Sequence, residues 1–262
     1  KPQPESMHLY VNDTVPTAPS ATKEGWEALP SFFDEGNEAR LRWRGRFDTP
    51  ENFQTNIKNY FRMASEVDSA SQAIVQELEI QGLLNNTLVI FTTDNGFFLS
   101  EHGLSDKFYP HQESIRVPLI VRDPRMSNDK IGTTNDDFTL SIDLAPTILS
   151  AAGLSPPARM QGRDMSVLYR NEGTQELEHS PWRTDFYYEL PKLGGPENQI
   201  CPNEALVQKD FKFINWTYHM QEQLFNLKND PWELKDLINH PEHQTVLSQM
   251  RKRLLEWREA VK

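Results

Sequence analysis

One short stretch of the sequence, residues 94–111, carries a carboxylate, an amide, a lysine and two histidines. Asp94-Asn95-Gly96 follows soon after Thr87-Leu88-Val89-Ile90-Phe91, an apolar run that predicts a strand buried on both faces. Two adjacent oxygen side chains at a strand end suit a hard cation such as Ca²⁺ or Mg²⁺. Taken alone, however, Asp-Asn-Gly is a common turn tripeptide, and by itself it favours a plain turn.

The neighbouring residues favour a site instead. Lys107 lies between Asp106 and the aromatic Phe108, and His102 and His111 bracket it. A cation, two imidazoles and a carboxylate able to hold a metal, all in one loop, would form an anion-binding site. The structural alternatives are a solvated loop lysine and histidines that only pack in the core or lie on the surface.

The overall charge limits the partners. The chain has 27 Lys+Arg against 38 Asp+Glu, a formal net charge of −11. Non-specific binding to nucleic acid or to an anionic membrane needs a basic face, so the sequence predicts neither partner. No apolar run approaches the roughly 18 residues of a membrane span. An acidic chain can still bind an anion, provided that local cations or a metal lie at the site.

The order of predicted elements indicates an α/β fold. A helical pattern covers residues 52–83, with Thr49-Pro50 as its cap. Buried strands follow at 87–92 and 117–121, which we expect to lie in a parallel sheet, and a short helix follows at about 140–153. Residues 1–50 are rich in proline and predict an irregular layer, anchored on the core by large aromatic residues: Trp26, Phe32, Phe33 and Trp43.

The pattern changes from about residue 181. Short alternating segments near 186–190, 204–207, 211–214 and 223–226 predict an antiparallel sheet of four strands. A final helix is predicted over 241–260, with Leu247, Met250, Leu254 and Leu255 among its inward residues. We therefore expect two units, 1–180 and 181–262.

At this point the sequence resembles a known family, the formylglycine-dependent sulfatases of the alkaline phosphatase superfamily. The resemblance spans about residues 52–262. It is carried by these motifs: Thr93-Asp94-Asn95-Gly96, Glu101-His102-Gly103, Asp106-Lys107, Glu113-Ser114-Ile115-Arg116, Val117-Pro118-Leu119, Ala145-Pro146-Thr147-Ile148-Leu149, Met160-Gln161-Gly162, Leu224-Phe225-Asn226-Leu227 and Asn229-Asp230-Pro231-Trp232-Glu233.

The resemblance implies a fold and a set of site residues. The chain would be the C-terminal part of an alkaline-phosphatase-like α/β sandwich, plus a small C-terminal antiparallel sheet subdomain with a terminal helix. Asp94 and Asn95 would be two ligands of the active-site Ca²⁺, with Mg²⁺ as the alternative. Lys107 would be catalytic and would contact the sulfate oxygens. His102 and His111 would lie near the substrate pocket, although related sequences often carry tyrosine at the position of His111.

The family's nucleophile is a formylglycine made from Cys/Ser-x-Pro-Ser/Ala-Arg, well upstream of the Asp-Asn-Gly signature. Because the sequence starts with Lys1-Pro2-Gln3-Pro4, we expect a fragment or a mature cut, with the formylglycine in a missing N-terminal half. Cys201 lacks the required proline and arginine. Ser155-Pro156-Pro157-Ala158-Arg159 fits the pattern literally, but short motifs recur by chance and its place matches a structural loop of the family.

The resemblance thus implies a sulfuric ester hydrolase, acting on sulfated small molecules or sulfated sugars as part of a longer protein. Two alternatives remain open. One is a phosphodiesterase or phosphonate hydrolase of the same superfamily, although Asn95 favours the single-metal sulfatases. The other is an inactive module that binds sulfated ligands. Sulfatases of this type work outside the cytoplasm, so we expect a periplasmic, secreted or lysosomal location.

Overall fold

The computed structural model describes residues 1–170, 180–191 and 200–261. The helices are α1 (Lys23–Glu27), α2 (Glu38–Arg46), α3 (Pro50–Ile80), α4 (Gln112–Ile115), α5 (Leu144–Ala151) and α6 (Gln244–Ala260). The strands are β1 (Val89–Thr92), β2 (Phe98–Leu99), β3 (Ser105–Asp106), β4 (Leu119–Arg122), β5 (Asp185–Leu190), β6 (Asn203–Gln208), β7 (Phe211–Trp216) and β8 (Gln221–Asn226).

The last four strands form the antiparallel sheet that the alternating sequence pattern predicts. Strands β5, β6, β7 and β8 are neighbours in chain order, and each pairs antiparallel with the next. Between β6 and β7 the chain turns at Lys209-Asp210. Such a meander needs only short connections, because antiparallel neighbours meet at the same end of the sheet.

Both faces of this sheet are buried. Leu206, Phe213 and Leu224 lie on one face and pack against α6, where Leu247, Met250 and Leu254 are buried as predicted. Leu255, predicted to point inward, is exposed. The opposite face packs against residues from the first 110 positions: Leu29, Phe33, Ala39, Phe98, Leu104 and Tyr109. One core therefore joins segments from both sides of residue 180, and the division at that residue stays a prediction.

Strands β1 and β4 correct the expected parallel pairing. They form an antiparallel pair, with Val89 opposite Arg122 and Thr92 opposite Leu119. Neither strand is fully buried, and Ile120 is 64% exposed. A parallel pair needs a crossover that returns along the sheet, usually through a helix. Within residues 93–118 the structure has a small hairpin, a 3₁₀ turn and the four-residue α4, so the chain enters β4 from the end where β1 stops.

The first 80 residues are more helical than their prolines suggest. Phe33 is buried, and Trp26, Phe32 and Trp43 pack against the core as predicted, but α2 was not predicted. Helix α3 begins at Pro50, and its Thr49 cap accepts a hydrogen bond from the Asn52 N–H. Its apolar residues are buried only near the start, at Phe53 and Ile57, since Val67 and Ile74 are exposed. None of the described helices has the length and apolar character needed to cross a membrane.

A buried ion pair connects the antiparallel sheet to the rest of the core. Lys212 on β7 and Glu233, in the loop after β8, are both fully buried, and their charged atoms lie 2.7 Å apart. Lys212 Nζ also donates to the Pro110 carbonyl at 2.7 Å, and a Glu233 carboxylate oxygen accepts from the Gln112 N–H at 2.7 Å. Both charges are thus bonded to the backbone of residues 110–112.

Removing one partner of this pair should be strongly destabilising. In Lys212→Met the carboxylate of Glu233 stays buried without its cation, and such changes cost about 3–5 kcal/mol of unfolding free energy. Urea unfolding measures the effect. The matched control is Lys209→Met on the exposed β6–β7 turn, which should stay within about 0.5 kcal/mol of wild type. Equal stability of the two variants would contradict the importance of the pair.

Candidate active site at the end of strand β1

The turn after β1 places Asp94 and Asn95 at the end of the strand. Asp94 is exposed and Asn95 is half-buried. The Asn95 N–H donates to Asp94 Oδ1 at 2.9 Å, and Asn95 Nδ2 donates to the Gly96 carbonyl at 2.8 Å. The amide side chain is therefore oriented, with its Oδ1 directed away from the Gly96 carbonyl.

Glycine is required at position 96 by close packing. The Gly96 N–H donates to the Ser114 carbonyl at 2.8 Å. A Cβ on Gly96 would lie 2.1 Å from the Glu113 carbonyl oxygen, which is backbone and cannot rotate away. The close approach fixes the Asp94–Gly96 turn against the segment that begins α4.

Lys107 reaches this turn from the loop after β3. Lys107 Nζ donates to Asn95 Oδ1 at 2.6 Å, so the structure brings these two predicted site residues into direct contact. The residues on either side of Lys107 have unusual backbone angles, with φ of 91° at Asp106 and 92° at Phe108. Non-glycine residues rarely adopt such angles. Residues that do adopt them are found most often at functional sites.

The donor atoms at this turn suit a hard cation. The Asp94 carboxylate and the Asn95 amide oxygen are of the type that Ca²⁺ and Mg²⁺ prefer, but Ca²⁺ takes six to eight oxygens. Among the described residues no group of three or more His, Cys, Asp or Glu side chains is arranged to hold a metal ion. The two residues could therefore supply part of a metal site, and the remaining ligands would come from elsewhere.

The two histidines lie in the core rather than at an open pocket. His102 and His111 are both fully buried, and their ring centroids are 5.0 Å apart. Phe98, Trp216 and Phe225 surround His111. None of the four ring nitrogens has a hydrogen-bond partner within the described ranges. Their burial does not support the expected contact with substrate, because such a contact requires access.

Burial also determines the protonation of the two histidines. Removal from water lowers the pKa of His102 to about 3, and the nearby His111 contributes in the same direction. Burial likewise lowers the pKa of His111 to about 3, with a further contribution from the Lys212 charge. Both rings are neutral at pH 7. The motif around His102 suggested an active-site role, and nothing in the local sequence signals its burial.

A buried carboxyl that the sequence reasoning missed lies next to the site. Glu113 is largely buried and has one oxygen without a partner among the described residues. Burial raises the pKa of Glu113 to about 8, and the charges of Glu233 and Glu101 contribute in the same direction. Its backbone carbonyl is the atom that excludes a side chain at position 96. The glutamate belongs to a quoted motif, but only the fold reveals that it is buried.

The two sequence candidates for a nucleophile are placed differently. Cys201 is buried, and burial raises the pKa of its thiol to about 12, so the reactive thiolate is unavailable near neutral pH. Ser155 lies exposed on the loop after α5, and within the described part of the chain no histidine or carboxylate is hydrogen-bonded to it. Neither residue is therefore set up as an activated nucleophile.

Comparison with protein families agrees with the geometry. A family model described as "Sulfatase" matches residues 6–154, and one described as "N-sulphoglucosamine sulphohydrolase, C-terminal" matches residues 100–260. The two matches together begin earlier than the motifs suggest, since those start near residue 52. They overlap over residues 100–154, a stretch that contains Lys107.

Individual relatives point the same way. The chain is 29% identical over 227 residues to an N-acetylglucosamine-6-O-sulfatase of Bacteroides thetaiotaomicron, covering 86% of this chain and 39% of that protein. It is 28% identical over 209 residues to the multifunctional alkaline phosphatase superfamily protein PehA of Trinickia caryophylli, covering 76% of this chain and 39% of PehA. The chain thus spans about two fifths of the length of these relatives.

A solved structure supports the fold. A protein in complex with its substrate D-glucosamine-2-N,6-O-disulfate superposes with a TM-score of 0.73 at 28% identity, covering 80% of this chain and 42% of that one. The expected fold class, part of an alkaline-phosphatase-like α/β sandwich with an antiparallel subdomain and a terminal helix, is confirmed. The parallel direction expected for β1 is the part that was wrong.

The buried histidines should make the protein sensitive to acid. Each has a folded-state pKa near 3 against an ordinary 6.5, so the unfolded chain binds more protons between these values. The free energy of unfolding therefore falls as the pH falls through this window, by up to about 1.4 kcal/mol per pH unit for each histidine. Glu113 has a raised pKa, so its contribution to the free energy of unfolding grows as the pH falls. The effect of one histidine is therefore measured as the difference between the pH profiles of wild type and of a variant that lacks it.

In His111→Phe the ring keeps its aromatic neighbours and loses its titration. Between pH 7 and pH 5 this variant should lose roughly 2 kcal/mol less stability than wild type. Urea unfolding across the pH range measures the difference, and His8→Gln, at an exposed position, serves as the control. Parallel pH profiles for wild type and His111→Phe would rule out the buried ring as the cause.

Proposed function

The chain belongs to the sulfatase family, because each of two family models of that group matches more than half of its residues, and we propose that it supplies part of a sulfuric ester hydrolase. The observation that carries the proposal is the 2.6 Å contact between Lys107 Nζ and Asn95 Oδ1 at the end of β1. It puts an ammonium group beside two oxygen ligands suited to a hard cation. With a divalent cation bound, they would form a positively charged cradle for a sulfate ester.

Each residue has a stated role in this proposal. Asp94 and Asn95 would hold one divalent cation, Ca²⁺ or Mg²⁺, which when bound supplies positive charge against the sulfate oxygens. Lys107 would contact the same oxygens and stabilise the charge that develops on them during transfer. Its position beside Asn95 orients the ammonium before the substrate arrives, so little reorganisation is needed at the moment of reaction.

The nucleophile would come from a part of the protein outside these 262 residues. In the family it is a formylglycine, and neither Cys201 nor Ser155 is placed to replace it. The half-exposed strands β1 and β4 support this view, because their apolar residues, Ile120 among them, are those of a covered sheet. We propose that an upstream half of the same protein covers them and completes the site.

The substrate class follows from the relatives. One of them is named as an N-acetylglucosamine-6-O-sulfatase, and the superposed structure holds a disulfated glucosamine. We therefore propose a sulfated sugar, with a sulfated amino sugar first among the candidates. We also propose a location outside the cytoplasm. A periplasmic, secreted or lysosomal protein would meet sulfated sugars of this class.

Two other functions remain testable. A phosphonate or phosphodiester substrate is suggested by the likeness to the multifunctional PehA. A panel of sulfate, phosphonate and phosphodiester esters, assayed with the full-length protein, separates it from sulfate-ester hydrolysis by the ratio of kcat/KM values. A module that only binds sulfated ligands would bind members of the panel and hydrolyse none of them.

The role of Lys107 predicts a large kinetic effect. In the full-length protein, Lys107→Ala should lower kcat/KM for a sulfate ester by about 10²–10³-fold, the usual effect of removing one donor to a developing oxyanion. Steady-state kinetics with an aryl sulfate measures the change. Lys130→Ala, at an exposed position far along the chain from the motif, should leave kcat/KM unchanged. A decrease in kcat/KM of less than about threefold in Lys107→Ala would contradict a catalytic role for Lys107.

The purified 262-residue chain should not hydrolyse sulfate esters by itself. Binding an anion without an attacking group gives little rate acceleration. The assay uses an aryl sulfate and sulfated sugars after co-expression with a formylglycine-generating enzyme. Activity that Ser155→Ala abolishes would place the nucleophile at Ser155. Activity that survives Ser155→Ala would mean that the chemistry does not follow the sulfatase mechanism.

A further inference from the structure

The loop that presents Lys107 is held by an arginine helix. On the proposed function, in which Lys107 contacts the sulfate oxygens, we propose that Arg42 and Arg46 of α2 are positioning residues that clamp the Asp106–Phe108 turn. They hold the ammonium of Lys107 beside Asn95 without touching the substrate themselves. The family motifs identify Lys107, but they contain neither arginine.

The turn needs such a clamp because its backbone is strained on both sides of Lys107. The φ angles of 91° at Asp106 and 92° at Phe108 lie in a region that residues with a Cβ rarely occupy. Such conformations cost about 1–3 kcal/mol each, and they persist only when their surroundings fix them. A relaxed turn would move the Lys107 side chain, since both of its flanking residues would rotate.

The arginines supply the contacts on the Asp106 side. Arg42 Nη1 forms an ion pair with the Asp106 carboxylate, and Arg46 Nη1 lies 3.6 Å from the same carboxylate. Arg46 also donates to Ser105 Oγ at 2.9 Å. Asp106 itself is buried, and the two arginine side chains reach it from the partly exposed face of α2. Asp106, the first residue of the turn, and Ser105, the residue before it, are thus bonded to successive turns of one helix.

Arg42 reaches the other strained residue as well. Its guanidinium carbon lies 5.6 Å from the ring centroid of Phe108, within cation–π range. The Phe108 carbonyl accepts a hydrogen bond from Asn203 Nδ2 at 3.1 Å, which ties the turn to β6. Arg42 therefore spans both positive-φ residues, and Lys107 between them has little freedom to move.

The helix is itself anchored to the core, so it can act as a fixed support. Arg40, on the same helix, lies between the rings of Trp26 and Trp43, 4.2 Å and 4.1 Å from their centroids. Its Nη1 donates to the Gly103 carbonyl at 3.0 Å. Arg44 differs from Arg42 and Arg46, because it is more than half exposed and pairs with Glu35 instead of the turn. It therefore offers a matched control.

The first experiment tests whether Lys107 is held in place, and it does so without an activity measurement. Competitive acetylation of the full-length protein, followed by mass spectrometry of the Lys107 peptide, measures how freely its ammonium reacts. In Arg42→Gln, and again in Arg46→Gln, the labelling rate of Lys107 should rise severalfold, because the lysine leaves its hydrogen bond to Asn95. In Arg44→Gln it should match wild type. Unchanged labelling in both test variants would overturn the proposal.

The second experiment couples the arginines to Lys107 by a double-mutant cycle. Arg42→Gln should lower kcat/KM by about 10- to 100-fold, mainly through kcat, as expected for a misplaced catalytic group. Added to Lys107→Ala, the same change should have almost no further effect. A full additional loss in the Lys107→Ala background would show a role independent of Lys107, such as direct substrate contact or general stability, and would contradict the clamp.

The two experiments separate failure of the clamp from failure of the proposed function. If the wild-type full-length protein hydrolyses no sulfate ester, the proposed function fails, and the labelling rates alone decide whether α2 holds Lys107. If the enzyme is active and the labelling rates do not change, the clamp fails and the function stands. Where the enzyme is active, Arg44→Gln should keep wild-type kcat/KM.

Discussion

Lys212 and Glu233 are both fully buried, and a charge that loses its partner inside a protein costs several kcal/mol. The two residues must therefore stay together in the folded state. Each is also bonded to the backbone of the 110–112 segment, through Pro110 and Gln112. The position of this segment against β7 is consequently fixed by electrostatics as well as by packing. The geometry of the candidate site depends on this arrangement, because residues 110–112 connect Lys107 to α4.

The constraint passes along the chain by backbone contacts. The 110–112 segment leads into α4, whose Ser114 carbonyl accepts from the Gly96 N–H. Gly96 ends the turn that holds Asn95, and Asn95 accepts from Lys107, a few residues before Pro110. These contacts connect β7 to the 110–112 segment, that segment to Gly96 and Asn95, and Asn95 to Lys107, which precedes the same segment in the chain. This explains why segments far apart in sequence are needed to place one lysine.

Sequence reasoning succeeded where a pattern has a single structural meaning. The short segments of β6 and β7 predict antiparallel strands, which the structure has, and the motif around Lys107 identified a residue that does contact Asn95. The direction of β1 was not predictable, because an apolar run reports burial and says nothing about the partner strand. The surroundings of His111 were hidden for a similar reason, because its neighbours Trp216 and Phe225 lie more than a hundred residues away in the sequence. Long-range neighbours determine pairing and burial, and a motif does not encode them.

The contact between Lys107 and Asn95 also bears on how an acidic chain could hold an anion. An amide oxygen is neutral, so Asn95 Oδ1 can bond to the ammonium and, in the proposed site, to a divalent cation, but it cannot offset the charge of both. The Asp94 carboxylate would offset part of the charge of a bound cation, and the ammonium and the cation would still repel each other across Asn95. A sulfate group between them would relieve that repulsion. Together with Lys107, a bound divalent cation would give this part of the proposed site a local positive charge that favours an anion, even on a protein with a net charge of −11.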